Sequence, residues 1–297
     1  MTLIDLSEMF SDDERCRELL ERLRWPEGVR CIRCGNGESV TRLTTNAKIF
    51  YCKDCDYQFS VTSGTIFHDS HLPLIKWFTT THLLCEAKKG MSAHQIHRTV
   101  GMSYKTAWYL CHRIRSAMAT CERPMLDGVV EMDETYIGGK RKDGTRGRGT
   151  SKAIVIGIRQ RGGSLRMFTA EDCKAGTLRK FIRENVSEDV EVLVTDDFAG
   201  YQYAVKDRPV GLVHNTVNHS KKEYVRGDIY TNTVESAFSL LKRGIIGTWH
   251  KVSAKHLQAY LDEMTFRFDR RKNHNLFLDT LRHMVTADPL TFERLTA

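Results

Sequence analysis

Hydrophobic and polar positions change their spacing from one part of the chain to the next. Residues 1–28 carry leucines at helical spacing among many acidic residues, which predicts one short helix. Short β segments and turns follow over residues 31–70, and a helical pattern covers residues 72–121. The first part of the chain is therefore predicted to contain a helix, a turn-rich module and a helical module.

From residue 124 onward, strand-like apolar runs alternate with helical patterns. Three strands, a helix, a further strand and then helices predict a mixed α/β sheet. The predicted strands cover residues 129–133, 153–159, 165–169 and 191–195, and the predicted helices cover residues 177–186, 234–243 and 256–271.

The composition indicates a class of partner. The 297 residues are 41% hydrophobic, enough for one large domain and smaller modules, and 45 Lys plus Arg against 37 Asp plus Glu give a net charge of +8. This balance favours a polyanion such as nucleic acid, although a merely soluble basic protein has the same charge. The N-terminus lacks the basic and apolar regions of a signal peptide, and no long apolar run occurs. We therefore expect a cytoplasmic protein without a membrane partner.

Four of the nine cysteines form two C-x-x-C steps, Cys31 with Cys34 and Cys52 with Cys55, separated by seventeen residues. Each step can direct two sulfurs at one tetrahedral metal, and the residues between the steps can form the hairpin that joins them. A redox-active C-x-x-C is the alternative, but no thioredoxin-like βαβ pattern surrounds these cysteines. We predict one structural Zn²⁺ held by four thiolates, in a module that either only supports the fold or also contacts DNA.

Residues 92–115 have the pattern of a helix-turn-helix. Ser92 can cap a first helix, Gly101 can form a left-handed turn, and Ser103 can cap a second helix. A plain helical hairpin with an exposed basic face is the alternative. In a helix-turn-helix, the start of the second helix would enter the major groove of DNA. The groove residues would be Tyr104, Lys105 and Thr106, and Arg113 and Arg115 would face phosphates.

Three acidic residues lie at the ends of predicted elements, and one lysine follows them. Asp133 and Asp196 end predicted strands, and Glu235 lies at the start of a predicted helix. Lys242 stands two turns after Glu235, roughly 10 Å along the axis and about 20° out of register, so the two face the same way. Three such carboxylates can hold two divalent cations for phosphoryl transfer while the lysine binds a phosphate. The alternative is that these acids cap helices or pair with arginines.

Asp197 is a second candidate beside Asp196. Alternation along the strand puts Asp196 on the face of the preceding valines and Asp197 on the other face, and periodicity does not choose between them. The same alternation predicts that Glu134 points to the opposite face of the strand from Asp133.

Five short motifs follow one another along the chain: EMDETYIGG at 131–139, TD at 195–196, VNHS at 217–220, NTVE at 232–235 and KRG at 242–244. In this order they resemble the DDE-type transposases of bacterial insertion sequences, in the subgroup with an N-terminal zinc ribbon. The resemblance covers residues 15–272 and implies an acidic triad of Asp133, Asp196 and Glu235, with Lys242 as the trailing lysine. It implies an α/β fold with a ribonuclease H-like catalytic domain. The predicted segments are an N-terminal helix at 1–28, a zinc ribbon at 29–70, a helix-turn-helix region at 71–122, the catalytic domain at 123–275 and a C-terminal helix or tail at 276–297.

The resemblance implies a DNA transposase. Such an enzyme would bind the terminal inverted repeats of its insertion sequence, hydrolyse a phosphodiester to free a 3′-OH, and use that hydroxyl to attack target DNA. Two Mg²⁺ or Mn²⁺ ions per active site would be its cofactors, beside the structural Zn²⁺. Because two ends must be joined in one event, we expect a homodimer or larger assembly on double-stranded DNA, associated with the nucleoid. The alternatives are a non-catalytic DNA-binding regulator and a structure-selective nuclease on the same fold.

Basic residues elsewhere extend the predicted DNA contact. The glycine-rich segment after Asp133 carries six cations and one acid, which can follow a DNA backbone or simply form a solvated flexible loop. A second basic segment precedes the helix of Glu235. Outside the helix-turn-helix, the predicted contacts are Lys140, Arg141, Lys142, Arg146, Arg148, His219, Lys221, Lys242 and Arg243.

Overall fold

The computed structural model describes residues 1–120, 123–139, 152–206, 213–217 and 225–297. They form two compact units, one made of Met1–Cys121 with Lys272–Ala297 and the other of Glu122–Arg271. The helices of the described residues are α1 (Leu3–Met9), α2 (Asp13–Arg24), α3 (Leu74–Glu86), α4 (Ala93–Val100), α5 (Tyr104–Ala119), α6 (Ala175–Asn185), α7 (Ala199–Val205), α8 (Asn232–Gly244), α9 (Ala254–Asp269), α10 (Leu276–Thr286) and α11 (Phe292–Thr296). The strands are β1 (Val40–Arg42), β2 (Phe50–Cys52), β3 (Tyr57–Phe59), β4 (Val129–Ile137), β5 (Ala153–Gln160), β6 (Leu165–Ala170), β7 (Val192–Asp196) and β8 (Val213–Val217).

Two helices, rather than the single predicted one, occupy the N-terminus. Thr2 and Asp5 form a capping box at the start of α1, in which each side chain accepts from the backbone N–H of the other. Asp12 then starts α2, because its carboxylate accepts from the backbone N–H of Arg15 at 2.9 Å. Asp12 itself has extended backbone angles, so the two helices cannot be continuous. The spacing of the leucines does not reveal this break.

Residues 40–59 include a three-stranded antiparallel sheet in the order β1-β2-β3. Phe50 and Phe59 stack on its apolar face with ring centroids 5.7 Å apart, and Trp25 approaches both rings edge-on from the end of α2. Cys31 and Cys52 belong to the same small core. A core of this size needs a metal or another cross-link to fold stably.

The C-terminal helices pack within the first unit. α10 contacts α2, α3 and α5. Phe277 of α10 lies edge-on against Phe78 of α3, with ring centroids 5.8 Å apart, and Thr280 Oγ1 lies 3.2 Å from Cys85 Sγ. The last residues of the chain therefore share a core with helices near its start.

The second unit is built on a five-stranded sheet in the order β6-β5-β4-β7-β8. β4 pairs antiparallel with β5, and β5 antiparallel with β6, whereas β7 runs parallel to both β4 and β8. This arrangement confirms the predicted mixed α/β sheet of the ribonuclease H-like kind. β8 and α7 are additional elements that the hydrophobic pattern did not predict.

Helices cover both faces of this sheet. On one face, α6 and α7 pack over a cluster that includes Val130 and Met132 of β4. On the other face, α8 and α9 pack over Val155 and Met167. Alternate residues of each strand thus serve opposite cores. The approach of α8 is closest at Gly157, where a Cβ atom would lie 2.7 Å from the ring of Phe238.

Candidate active site and zinc site

The four predicted zinc ligands converge in the first unit. One sulfur atom from each of Cys31, Cys34, Cys52 and Cys55 lies within 4.8 Å of the other three. The closest sulfurs are those of Cys31 and Cys55 at 3.5 Å, and those of Cys34 and Cys52 at 3.6 Å. Four sulfurs bound at about 2.3 Å around a tetrahedral Zn²⁺ lie about 3.8 Å apart, so the arrangement fits this metal.

Local backbone geometry brings the first cysteine pair together. Gly35 has φ +79°, a left-handed turn that suits glycine, and its N–H donates to the carbonyl of Cys31 at 2.9 Å. Burial alone raises the pKa of the Cys31 thiol, but N–H groups of Cys34 and Arg33 and the neighbouring thiols together lower it to about 7. Burial and the neighbouring thiols raise the pKa of the Cys55 thiol to about 12, so a metal ion that binds all four sulfurs as thiolates would displace its proton. The surrounding antiparallel sheet is also unlike the βαβ setting of a redox C-x-x-C.

Acidic side chains converge in the second unit where β7 ends beside β4. Asp196 is the last residue of β7, as predicted, but β4 continues to Ile137, so Asp133 lies in the middle of its strand and not at the predicted end. Glu131 of β4 pairs with Val194 of β7 in a parallel register, and two residues further on the same register brings Asp133 beside Asp196. Carboxylate oxygens of Asp133, Glu134 and Asp196 lie within 4.8 Å of one another. A cluster of carboxylate oxygens where β7 ends beside β4 provides the ligands that Mg²⁺ and Mn²⁺ prefer.

Glu134 was not among the predicted site residues. Its Oε2 accepts from the hydroxyl of Tyr201 on α7 at 2.8 Å, which agrees with the predicted opposite orientation from Asp133. The side chain is nevertheless long enough for its carboxylate to remain in the acidic group. Its position directly after Asp133 at a strand end was the only signal in the sequence.

The acidic group has a strong effect on Asp133. Burial raises the pKa of its carboxyl well above the ordinary value, and the negative charges of Glu134, Asp196 and Glu235 raise it further. The backbone N–H of Glu134, which donates to Asp133 Oδ1 at 2.8 Å, opposes this shift only in part. A site of this kind favours either a proton or a cation on the carboxylates.

Glu235 lies near this group but not within it. It occupies the first turn of α8, and its Oε1 accepts from the hydroxyl of Thr231 at 3.2 Å. Asp197 is exposed and accepts from Gln202 Nε2 at 3.2 Å, so Asp196 is the aspartate that the structure brings beside Asp133. Lys242 and Arg243 are exposed in the last turn of α8.

The predicted helix-turn-helix corresponds to α4 and α5. Ser92 caps α4 and Ser103 caps α5 through their hydroxyls, and Gly101 between them has φ +69°. Tyr104 stacks on His94 of α4 with ring centroids 4.2 Å apart. Three residues lie in the first turn of α5: Tyr104 and Lys105 are exposed, and Thr106 is half-buried. Lys105 Nζ also lies 4.8 Å from the ring centroid of Phe292 on α11.

Arg113 and Arg115 do not face outward as predicted. Their exposed fractions are 5% and 1%. The Arg113 guanidinium donates to the carbonyl of His68 at 2.6 Å and lies over the rings of Trp77 and Tyr109. α3 and α10 pack against α5, and both arginines are buried, so they serve the fold and their assignment to phosphates was wrong.

Several predicted DNA contacts lie outside the described residues. For this group the structure gives no position, so their contact with DNA stays a prediction. They are Lys140, Arg141, Lys142, Arg146, Arg148, His219 and Lys221.

Comparison with known proteins identifies the family. Residues 125–269 match the family model described as ISXO2-like transposase domain, and residues 11–58 match that described as transposase zinc-ribbon domain. The chain is 32% identical over 276 residues to an uncharacterized protein in transposable element ISH50 of Halobacterium salinarum, with 87% of this chain and 91% of that protein covered. The chain belongs to the ISXO2-like family of DDE transposases with an N-terminal zinc ribbon, as its motifs predicted.

Two solved structures are also similar. The Mos1 strand transfer complex matches with a TM-score of 0.32 and 11% identity, covering 70% of this chain and 74% of that chain. A pre-cleavage Mos1 transpososome matches with a TM-score of 0.28 and 11% identity, covering 72% and 79%. The family assignment rests on the family models and on the relative from Halobacterium. In the parts of the chain that the structure describes, no helix is long and apolar enough to cross a membrane.

Proposed function

We propose that this transposase cuts and joins the ends of its insertion sequence with divalent ions held by Asp133, Asp196 and Glu235. The observation that carries the proposal is the convergence of carboxylates from β4 and β7 beside the helix that bears Glu235. The ions are two Mg²⁺ or Mn²⁺ per site, and Glu134 provides a further oxygen donor next to Asp133.

Divalent ions held by these carboxylates would activate the attacking oxygen and stabilise the leaving oxygen in an in-line displacement. The carboxylates of Asp133 and Asp196 fix the site on the two central strands of the sheet, which helices cover on both faces. Glu235 approaches from α8 and completes the ligand set. Lys242, exposed two turns later on α8, contacts a phosphate of the bound end and orients it.

The first unit selects the DNA in this proposal. Tyr104, Lys105 and Thr106 at the start of α5 contact bases in the terminal inverted repeat. The basic segments at residues 140–148 and 219–221 follow the phosphate backbone, in keeping with the net charge of +8. Because two ends are joined in one reaction, the active form is a homodimer or larger assembly on DNA. It acts in the nucleoid, where the element and its target DNA lie.

Amide substitutions of the three acids test the catalytic part. Asp133→Asn, Asp196→Asn and Glu235→Gln keep the shape of each side chain and remove the charge that holds metal. Each variant should bind a DNA end as the unchanged protein does and fail to cleave it in Mg²⁺, with a loss of several orders of magnitude that is nearly the same for one change as for two.

Asp197→Asn is the matched control, since Asp197 is exposed and outside the carboxylate group. Its cleavage of labelled end DNA should equal that of the unchanged protein. Full cleavage by Glu235→Gln would contradict the proposed triad. If the unchanged protein bound the DNA end but did not cleave it, the alternative of a non-catalytic DNA-binding regulator would be favoured.

A further inference from the structure

Glu131 is a completely buried acid on the strand that carries Asp133. Its exposed fraction is 0%, and it lies two residues before Asp133 on the same face of β4. Its Oε2 accepts three hydrogen bonds from the start of α8: from Thr233 N at 3.0 Å, Thr233 Oγ1 at 2.7 Å and Val234 N at 3.1 Å. Thr231, the residue before the helix, does not cap the first N–H groups of α8 with its side chain. Glu131 accepts from two of these N–H groups instead, and so caps the helix from β4.

Arg161 completes this anchor. Its Nε donates to Glu131 Oε1 at 2.7 Å, and its two terminal nitrogens donate to the carbonyls of Asp228 and Tyr230 at 2.6 and 2.9 Å. The guanidinium also lies 3.7 Å from the ring centroid of Tyr230. Glu131 and Arg161 therefore fix both the first turn of α8 and the segment that leads into it.

The anchor acts directly next to a proposed metal ligand. Glu235 follows Val234, the last residue whose N–H donates to Glu131. Arg159 of β5 adds a hydrogen bond to the carbonyl of Thr233 at 3.1 Å. The position of Glu235 relative to Asp133 is thus set by bonds between β4 and the first turn of α8.

We propose that Glu131 is a positioning residue that holds Glu235 in place for metal binding. The proposal rests on the proposed function, because it requires Glu235 to be a metal ligand. Both Glu131 oxygens accept hydrogen bonds from the protein, Oε1 from Arg161 and Oε2 from the start of α8, and Glu131 lies outside the acidic group, which favours a positioning role over direct metal binding. Partners that orient a metal ligand affect metal affinity by about 10- to 100-fold when they are removed.

A second buried ion pair in the same unit offers a matched control. Glu263 has an exposed fraction of 0%, and its Oε1 lies 3.0 Å from Arg267 Nη2. Both residues belong to α9 and are four positions apart, so this pair does not join β4 to α8. Glu263→Gln removes the same charge from an equally buried glutamate without touching the anchor.

The test measures Mn²⁺ binding to the full-length, zinc-loaded protein by electron paramagnetic resonance of the free ion. Glu131→Gln should weaken Mn²⁺ binding about 10- to 100-fold and speed amide hydrogen exchange at Thr233 and Val234. Glu263→Gln should leave both unchanged. In a Glu235→Gln background, Glu131→Gln should cause no further loss, because it acts through the missing ligand.

Thr233→Val is the second variant, should Glu131→Gln fail to fold. It removes one hydrogen bond to Glu131 and keeps the shape of the side chain, and it should weaken Mn²⁺ binding several-fold. Unchanged Mn²⁺ binding in Glu131→Gln or Thr233→Val, or an equal loss in Glu263→Gln, overturns the positioning role. Unchanged binding in Glu235→Gln alone overturns the proposed triad instead, so the two failures are distinguishable.

Discussion

Protonation of Asp133 links the stability of the protein to pH and to metal binding. Burial raises the pKa of its carboxyl well above the ordinary 3.8, and the charges of Glu134 and Asp196 raise it further. Above pH 3.8 the folded protein therefore keeps a proton that the unfolded chain releases, so the stability contributed by this group falls as the pH rises towards the folded-state pKa. A divalent cation that binds only the folded protein replaces the proton and restores the stability.

We predict that added Mg²⁺ raises the melting temperature more at about pH 8 than at about pH 5. Asp133→Asn should melt higher than the unchanged protein without Mg²⁺, because it removes a destabilising charge, and it should gain nothing from the ion. Thermal denaturation followed by circular dichroism measures both effects. Asp197→Asn, an exposed control, should keep the pH-dependent gain. The prediction fails if Mg²⁺ acts equally at both pH values.

Asp133 and Asp196 were predictable because each follows an apolar run, and the parallel register of β4 and β7 brings the two residues side by side. The continuation of β4 to Ile137 was not predictable, because Glu131, Asp133 and Glu134 interrupt its apolar pattern. Glu134 was not, because strand alternation gives the direction of a side chain and not how far its carboxylate reaches. Glu131 was not recognised as an anchor either. Its partners, Arg161 and Thr233, lie 30 and 102 positions away in the sequence, and no local pattern links them.

The packing of α8 on the sheet depends on one small residue. Gly157 pairs with Asp133 across β4 and β5, and a Cβ there would lie 2.7 Å from the Phe238 ring and 2.8 Å from Val234. Gly157→Ala should move α8 away from the sheet, cost about 1–3 kcal/mol of unfolding free energy, and impair cleavage by displacing Glu235. Chemical denaturation and end-cleavage assays measure the two effects.

Gly176→Ala is the matched control for this substitution. Gly176 lies in α6, and a Cβ there would meet no atom within 4 Å. Alanine favours the helix, so this variant should be as stable as the unchanged protein or slightly more so, with full cleavage. If Gly157→Ala were as stable and as active as Gly176→Ala, the Phe238 ring would move aside for the new methyl group without a loss of stability.

The fold of the zinc ribbon should depend on its bound metal. We predict one tightly bound Zn²⁺ per chain, lost in the Cys31→Ser, Cys52→Ser double variant together with the order of β1 to β3, because the core there is small. Elemental analysis and circular dichroism measure these losses. Cys85→Ser is the control, since this buried cysteine contacts Thr280 and lies outside the ligand group. Zinc retained by the double variant would refute the assignment.

Elements with strong periodicity were predictable, and short ones were not. The strands β4 to β7 and the helices α6, α8 and α9 follow clear apolar patterns. α7 has only seven residues and contains Gly200, and β8 has five residues with polar side chains at three of them, so neither leaves a usable period. The division between α1 and α2 depends on the cap at Asp12, which a search for hydrophobic spacing overlooks.

Contacts between distant parts of the chain explain the error at Arg113 and Arg115. Cys85 on α3 meets Thr280 on α10, 195 positions later, and α10 also contacts α5. Arg113 itself donates to the carbonyl of His68, 45 positions earlier, so a helix packed against remote segments buries residues that its own pattern marks as polar. The sequence predicted the helices of this unit, and it did not predict which face of α5 the C-terminal helices cover.

Recognition of DNA by the whole protein should therefore depend on the first turn of α5 and not on its second half. Lys105 is exposed there, whereas Arg113 is buried against Trp77 and the His68 carbonyl. Lys105→Ala should cost about 1–3 kcal/mol of binding to the element's own end and much less on unrelated DNA. Arg113→Ala should mainly lower the melting temperature, because it leaves a gap beside Trp77.

Binding measured by fluorescence anisotropy over a range of salt concentrations separates these effects. Lys88→Ala is the matched control, since Lys88 is exposed in the same unit and its loss changes the net charge equally. Arg148→Ala, outside the described residues, should weaken binding to both DNAs alike if it contacts phosphates. Equal affinities of Lys105→Ala and Lys88→Ala for the element's end would move the recognition surface away from α5, because net charge alone would then account for binding.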